Sequence, residues 1–285
     1  MILLTGVTGN VGGATATELN KRGVRFRAVV RTPDKVKSDI SMQNEIIPGD
    51  LADVSVMKQA LQGVDRMLLV TPNSEQQAML EKSVVDLAAS AGVQQIVKIS
   101  SIEASPTVEA PVAKLHYQIE QHIKSAVPYG AFLRATFYYQ TLFTMAQPVK
   151  TANVLPLPLG DTRICMMDVR DIAKAAAGML IDEAYSSGEF PISGTGPVSL
   201  AEVAATMSSV LGREIKYADM PDEAYRETLD NVLDDKWRVN AICTLFQEIK
   251  AGALDQDFPN ISEITGEEAI SLEQFLQDHK YVFNP

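Results

Sequence analysis

Three glycines near the start of the chain constrain its fold more than any other feature. They lie in the run Thr5-Gly6-Val7-Thr8-Gly9-Asn10-Val11-Gly12, between an apolar stretch at residues 1–4 and a helical pattern at residues 13–21. A strand must therefore turn sharply into a helix, and glycine lets that turn approach a pyrophosphate while the first helical N–H groups point at the anion. The spacing G-x-x-G-x-x-G predicts a dinucleotide-binding loop, although a tight turn without a ligand is the alternative. The predicted cofactor contacts in this loop are Gly6, Thr8, Gly9, Asn10, Val11 and Gly12.

Short apolar runs alternate with helical patterns over the first half of the chain, which is typical of βαβ units. Strands are predicted at residues 2–4, 25–30, 45–47, 66–70, 96–100 and 131–134. Ser74-Glu75-Gln76-Gln77 is predicted to be a capping box for a helix whose Leu80, Val84, Leu87 and Ala91 share one face. The predicted fold class is α/β, with a Rossmann-type doubly wound parallel sheet.

Glycine and proline become frequent after about residue 150, and the predicted elements become shorter. We therefore expect a dinucleotide-binding domain at 1–150 and a smaller C-terminal substrate-binding lobe at 151–285, some segments of which return to pack on the first domain. Asp168 is predicted to cap a helix that runs to Leu180. A second capping box, Ser199 to Glu202, is predicted to open a helix that Gly212 closes.

Composition restricts the classes of partner. The net charge of −11 over 285 residues argues against a nucleic-acid partner, which would require clustered Lys and Arg. No apolar run reaches the roughly 18 residues of a membrane span, and the N-terminal apolar stretch is too short for a signal peptide, so we expect a cytoplasmic protein. The two cysteines and three histidines have no metal-ligand spacing, so no metal is predicted: Cys165, Cys243, His116, His122 and His279.

The type of dinucleotide is predicted from the residues that follow the first strands. Arg31 stands where NAD-binding proteins usually have an acidic residue, so Arg31 with Lys35 favours the 2′-phosphate of NADPH over NADH. A solvated Arg31, or one that stacks on adenine, is the alternative. Asp50 and Leu51 are predicted near the adenine, although Asp50 could instead be a turn residue that caps the next helix. Thr71 and Pro72 are predicted near the cofactor ribose, although this sequence is also common in loops, and Ser100 ends the next strand as a further cofactor contact.

The glycine spacing at the N-terminus resembles that of the short-chain dehydrogenase/reductase superfamily. A typical member has a Y-x-x-x-K helix after the strand that ends at Ser100, but Val112 and His116 stand at those two positions here. Ordinary alcohol-carbonyl interconversion and sugar-nucleotide epimerisation are therefore not expected.

The order of motifs along the chain resembles the NmrA-like, atypical branch of that superfamily. The shared motifs are TGxxGxxG, Val30-Arg31, Gly49-Asp50, His116-x-x-x-Glu120, Pro128-Tyr129 before Phe132-Leu133-Arg134, the run 168–173 and the run 272–276. The resemblance implies an NADPH-dependent, flavin-free reductase of conjugated acceptors such as quinones, azo dyes or triphenylmethane dyes. The branch also contains catalytically silent regulators that bind a dinucleotide as a redox signal, and these are the alternative. The implied partner is a small aromatic or quinonoid molecule, and the oligomeric state is left open.

Two candidate catalytic residues remain. His116 is predicted either to lie beside the nicotinamide as an orienting group or proton donor, or to form a surface ion pair or pack in the core. Tyr138, with Tyr139, is predicted to be either a platform for a flat substrate or part of an aromatic core. Asp168 and Asp171 are interpreted as helix-capping residues, and Arg134 as a structural residue that bonds loop carbonyls.

Overall fold

The computed structural model of the chain describes residues 1–254 and 258–284. Strands and helices alternate over its first half, as predicted, with slightly shifted ends. In chain order they are β1 (Ile2–Leu4), α1 (Asn10–Lys21), β2 (Phe26–Val30), α2 (Ser38–Ser41), β3 (Glu45–Pro48), α3 (Val54–Ala60), β4 (Arg66–Leu69), α4 (Gln77–Ser90), β5 (Gln95–Ser101), α5 (Pro111–Ala126) and β6 (Tyr129–Ala135).

The second half contains more and shorter elements. They are β7 (Phe137–Tyr138), α6 (Ala146–Ala152), β8 (Val154–Leu157), β9 (Arg163–Met167), α7 (Val169–Ile181), β10 (Gly188–Ile192), β11 (Pro197–Ser199), α8 (Leu200–Leu211), β12 (Lys216–Asp219), α9 (Asp222–Val232), α10 (Lys236–Lys250), α11 (Ser262–Thr265), α12 (Leu272–Asp278) and α13 (Lys280–Phe283). The predicted capping box at Ser199 is present, and Gly212 ends α8 in the left-handed conformation, as predicted.

The main sheet has seven strands in the order β10-β6-β5-β4-β1-β2-β3. Strands β1 to β6 pair in parallel and build outward from β1 in both directions, which confirms the predicted doubly wound α/β fold. The seventh strand, β10, was not predicted. It contains Gly188 and Pro191, which argue against a strand in sequence, but β10 lies at the edge of the sheet, where a missing N–H group is tolerated.

Both faces of this sheet are covered. On one face, alternate strand residues such as Leu3, Leu69 and Ile96 form a core cluster with residues of α3, α4 and α5. The residues that alternate with them, such as Leu68 and Val97, are also fully buried. They face the side on which α7, packed against α1, contacts the central strands. This explains why the strands read as continuous apolar runs rather than alternating ones.

One prediction about α4 is wrong, and another needs extension. The helix begins at Gln77, and its N-cap Gln76 makes no side-chain cap bond, so Ser74 does not open it with a capping box. Of the four residues predicted to share one face, Val84 is buried, Leu80 and Leu87 are half-buried against the core, and Ala91 is exposed just after the helix. The buried positions of α4 are Gln77, Ala78, Glu81, Val84, Val85 and Ala88. The prediction counted only apolar residues, whereas this face also buries Glu81 and Gln77.

The described chain divides into two compact units. The first contains Met1–Ala135 and Val169–Pro191, and the second contains Thr136–Asp168 and Ile192–Pro285. The first boundary follows Ala135 rather than residue 150, because β7 pairs with β9 in a small sheet of the second unit. The first unit also takes in α7 and most of β10. In the described part of the chain, no helix has the length and apolar character needed to span a membrane.

Candidate cofactor site

The glycine loop connects β1 to α1 in the first unit, and Thr5 holds its entrance. The Thr5 hydroxyl donates to the carbonyl oxygen of Val70 and accepts from the Val70 N–H group, each at 2.8 Å. Because Val70 directly follows β4, this pair of bonds fixes the loop against the end of the neighbouring strand.

The loop is packed so closely that glycine is required at two of its three glycine positions. Gly6 has a φ of +68°, and a Cβ atom there would lie 2.7 Å from the Val70 carbonyl oxygen. A Cβ atom on Gly12 would lie 2.3 Å from the carbonyl oxygen of Gly6. Gly9 is less crowded, since its nearest such contact would be 3.3 Å away. The turn brings the start of α1 against the end of β1, as a phosphate-binding loop requires.

The first N–H groups of α1 remain available for an anion. The first helical bond runs from the Gly13 N–H group to the Gly9 carbonyl oxygen at 3.0 Å, and the N-cap Gly9 supplies no side-chain cap. The N–H groups of residues 10–12 therefore precede the helical ladder. Thr8, Gly9 and Asn10 are exposed around them. This arrangement fits a dinucleotide pyrophosphate, which is stabilised by such groups and by the helix dipole.

Two cations follow β2 at the same edge of the sheet. Arg31 and Lys35 are exposed, and neither side chain has an ion-pair partner among the residues that the structure describes. Because β2 runs parallel to β1, the carboxyl ends of both strands meet at one edge. The arrangement suits a phosphate ligand, and the 2′-phosphate role of Arg31 stays a prediction.

Asp50, in the loop after β3, was predicted either to contact the adenine or to be a turn residue that caps the next helix. Its carboxylate accepts from the Ala52 N–H group at 2.9 Å, which closes a local turn. The cap of α3 is Asp53 instead, which accepts from the N–H groups of Ser55 and Val56 at 2.8 and 3.3 Å. The Ser55 hydroxyl and these N–H groups lower the pKa of Asp53. The alternative in which Asp50 caps the helix is therefore wrong, whereas contacts of Asp50 and the half-buried Leu51 with adenine stay a prediction.

Thr71, two residues beyond the end of β4, belongs to a buried polar network that was not predicted from the sequence. Its hydroxyl donates to Glu81 Oε1 at 2.5 Å, and Gln77 Nε2 donates to the same oxygen at 3.1 Å. Lys98 on β5 lies 3.1 Å from Glu81 Oε2, and both side chains are almost completely buried. A lysine inside an apolar strand was the available signal, since a buried charge requires a partner. Pro72 is exposed in the loop that follows.

A second buried network lies at the end of β5. The Ser100 hydroxyl donates to Glu120 Oε1 at 2.6 Å, and Arg134 donates to both Glu120 oxygens at 3.0 and 2.5 Å. Arg134 also contacts Glu189 at 2.8 Å. Arg134 is thus bound by carboxylates, which corrects the expectation that it bonds loop carbonyls.

His116 lies on α5 and is 8 % exposed. Burial, followed by the charge of Lys98, holds its pKa well below the ordinary value, so the imidazole is neutral. Its Nδ1 is buried without a hydrogen-bond partner. The alternative of a surface ion pair with Glu120 is wrong, because Glu120 is bound by Ser100 and Arg134. A role at the nicotinamide stays a prediction.

The candidate aromatic platform belongs to the second unit. Tyr138 is half-buried on β7, whereas Tyr139 is 2 % exposed and stacks on Phe275 with a ring separation of 5.3 Å. Tyr139 is therefore a core residue, and only Tyr138 remains a candidate. In the same unit, the buried Asp168 accepts from Gln140 Nε2 at 3.0 Å directly before α7 begins.

No group of side chains suited to hold a metal ion occurs within residues 1–254 and 258–284. Cys165 and Cys243 are both buried.

The chain is similar in sequence or in fold to several known proteins. NAD(P)H azoreductase of Xenophilus azovorans is 26% identical over 287 residues, which cover 99% of both chains. The Escherichia coli quinone oxidoreductase QOR2, solved in complex with NADPH, has a TM-score of 0.88 at 23% identity and covers 99% of this chain and 100% of its own. Citrobacter sp. triphenylmethane reductase in complex with NADP(H) has a TM-score of 0.86 at 21% identity, covering 98% and 99%.

The two solved structures share the fold of this chain over 99% and 98% of its length. Residues 1–276, from the glycine loop through most of α12, match the sequence pattern of the NmrA-like family. With a match of that extent, the chain belongs to the NmrA-like family.

Proposed function

We propose that the chain is an NADPH-dependent, flavin-free oxidoreductase that passes a hydride directly to a conjugated, electron-poor acceptor of the quinone, azo or triphenylmethane type. The observation that carries the proposal is the glycine loop, in which a Cβ atom on Gly12 would lie 2.3 Å from the Gly6 oxygen and the first N–H groups of α1 are uncapped. The names of the relatives, which include an NAD(P)H azoreductase, support an oxidoreductase with a small-molecule substrate.

The cofactor residues divide by the part of the dinucleotide they would hold. Gly6, Thr8, Gly9, Asn10, Val11 and Gly12 would hold the pyrophosphate, Arg31 and Lys35 the 2′-phosphate, and Asp50 and Leu51 the adenine. Thr71, Pro72 and Ser100 would lie along the ribose and nicotinamide. The free cationic side chain of Arg31 supports NADPH rather than NADH, because guanidinium groups bind phosphate through charge-assisted hydrogen bonds.

The residues around the reacting centre supply little acid-base chemistry. When bound, NADPH supplies a hydride from C4 of its nicotinamide ring. Val112 stands where related enzymes have a tyrosine proton donor and has no proton to give. The neutral His116 can orient an acceptor or donate one hydrogen bond, but its low pKa keeps it from serving as an imidazolium acid at neutral pH. Acceptors that delocalise the incoming electron pair need little acid-base catalysis beyond this.

The second unit is proposed to form the substrate-binding part of the protein, with Tyr138 as a platform for a flat acceptor. Its half-buried ring leaves surface for stacking, which the buried Tyr139 does not.

The proposal is tested by the loss of NADPH absorbance against a panel of quinones, azo dyes, triphenylmethane dyes and secondary alcohols, without added flavin. We expect turnover with at least one conjugated acceptor and none with the alcohols. Tight NADPH binding without turnover of any acceptor would favour the alternative function, a dinucleotide-sensing regulator. Turnover that requires added flavin would contradict direct hydride transfer.

A further inference from the structure

Two hydroxyl groups at the same edge of the sheet have each committed their only proton to a buried carboxylate. The Thr71 hydroxyl donates to Glu81 at 2.5 Å, and the Ser100 hydroxyl donates to Glu120 at 2.6 Å. A hydroxyl group has one donor and two acceptor lone pairs. While these bonds hold, each hydroxyl can offer a ligand only acceptor sites.

Each carboxylate is fixed by further donors. Glu81 accepts from Gln77 Nε2 and lies 3.1 Å from the ammonium of Lys98, whose side chain is 1 % exposed. Glu120 receives two bonds from the planar guanidinium of Arg134. Both carboxylates are fully buried. A carboxylate paired with a cation in this way accepts hydrogen bonds and has no proton to return to the hydroxyl.

The fold brings the two hydroxyls to the same end of neighbouring strands. Strands β4 and β5 are parallel and their last pair is Leu69 with Lys98; Thr71 follows β4 by two residues, and Ser100 lies on β5 two residues beyond Lys98. Glu81 and Glu120 come from α4 and α5, which pack against each other on this face. The same hydroxyl, carboxylate and cation arrangement thus occurs twice, once just beyond β4 and once at the end of β5.

We propose that Thr71 and Ser100 form a pair of hydrogen-bond acceptors that recognises donor groups on the nicotinamide half of the cofactor, the ribose hydroxyls or the carboxamide N–H group. Glu81 and Glu120 are the positioning residues that fix this polarity. The inference rests on the proposed function, because it assumes that a dinucleotide lies along this edge of the sheet.

The polarity has a chemical consequence. Ser100 cannot donate a hydrogen bond to a substrate oxygen while its proton lies on Glu120. Ser100 therefore does not supply the hydroxyl donor that would stabilise charge on a simple carbonyl oxygen in the transition state. This agrees with acceptors that delocalise the electron pair instead.

The test compares binding of NADPH with binding of adenosine 2′,5′-bisphosphate, which lacks the nicotinamide half, by calorimetry. Thr71→Val and Ser100→Ala should each weaken NADPH by about fivefold to tenfold, the effect of one neutral hydrogen bond, and leave the bisphosphate unchanged. Thr71→Ser should retain NADPH affinity. Ser90→Ala, which removes an exposed hydroxyl bonded to its own helix, is the matched control and should change neither ligand.

Glu81→Gln tests the positioning role. Its amide can donate to the Thr71 hydroxyl and release the hydroxyl proton, so the ratio of NADPH to bisphosphate affinity should fall as it does in Thr71→Val. The melting temperature should fall in either case, because the buried Lys98 loses its partner. A purely structural role would lower both affinities by the same factor.

The acetylpyridine analogue of NADP, in which a methyl group replaces the carboxamide nitrogen, identifies the donor. If the hydroxyls bind the carboxamide N–H group, Thr71→Val or Ser100→Ala should leave the affinity for the analogue unchanged. If they bind the ribose hydroxyls, these variants should lose affinity for the analogue as they do for NADP.

Unchanged NADPH affinity in both hydroxyl variants, or equal weakening of NADPH and bisphosphate, would overturn the inference alone. A wild-type protein that binds neither ligand would overturn the proposed function as well.

Discussion

Gly12 has the least room for change among the residues of the loop. Its Cα faces the Gly6 peptide, and both the oxygen and the carbon of that peptide lie within 2.5 Å of an ideal Cβ position. The obstacle is backbone, which cannot rotate away as a side chain would. The loop must therefore deform to accept even alanine.

Gly12→Ala should weaken NADPH binding by about tenfold or more, since an overpacked contact costs about 1–3 kcal/mol. Gly178→Ala is the matched control, because Gly178 is also helical and its Cβ would have only Arg22 Nη1 nearby, at 3.8 Å. Calorimetric titration with NADPH measures both variants. Unchanged NADPH affinity in a folded Gly12→Ala protein would contradict the assignment of this loop to dinucleotide binding.

Arg31 is proposed to determine the choice between NADPH and NADH. Arg31→Ala should weaken NADPH by about 1 to 3 kcal/mol and leave NADH nearly unchanged, because only NADPH carries the 2′-phosphate. Arg25→Ala removes the same charge from an exposed residue just before the other end of β2 and should affect neither cofactor. The measurement is the dissociation constant of each cofactor. Equal weakening of both would show that Arg31 contacts adenine or the loop.

At the scale of elements, local patterns predicted the first half of the chain well. The glycine loop, the capping box at Ser199 and the parallel strands follow from residues close in sequence. The failures involve partners distant in sequence. Glu81 is buried on α4 because Lys98 lies on β5, and β10 forms a strand despite Pro191 because β6 offers an edge. Periodicity does not contain that information.

The two capping boxes suggested by the sequence give a direct test at this scale. Ser199→Ala should lower the free energy of unfolding by about 1 kcal/mol, because Ser199 accepts from the Glu202 N–H group at 3.2 Å. Ser74→Ala should change stability very little, because α4 begins at Gln77 without a side-chain cap. Urea denaturation followed by circular dichroism measures both. A comparable loss in the two variants would contradict the observed start of α4.

At the scale of the whole molecule, the candidate site could be predicted only in part. The cofactor loop can be predicted because its residues are close in sequence. The protonation of His116 and the hydrogen bonds of Thr71 and Ser100 depend instead on Lys98, Glu81 and Glu120, which only the fold brings near them. The family prediction is confirmed. The contacts of individual residues with a cofactor stay predictions.

The buried His116 should make stability depend on pH. Its folded pKa lies well below 6.5, so below that pH the unfolded chain binds a proton that the native protein does not. Acid therefore favours unfolding, and stability should rise with pH in this window, by at most about 1.4 kcal/mol per pH unit from one group.

Urea denaturation between about pH 5 and 7 gives the free energy of unfolding at each pH. This free energy should rise less steeply with pH in His116→Gln than in the wild type. His122→Gln, which removes a more exposed histidine from the same helix, is the control and separates the buried imidazole from the exposed one. An unchanged slope in His116→Gln would contradict the buried, neutral state of His116.

The central claim is direct hydride transfer from NADPH without flavin, and a deuterium label tests it most directly. The flavin-stripped protein is given a triphenylmethane dye and NADPH deuterated on one or the other face of nicotinamide C4. The dye retains hydride on its central carbon, where it does not exchange with water. We expect label from one face to be retained in the product and label from the other face to be absent. Product without label from either face, or turnover only after flavin is added, would contradict it.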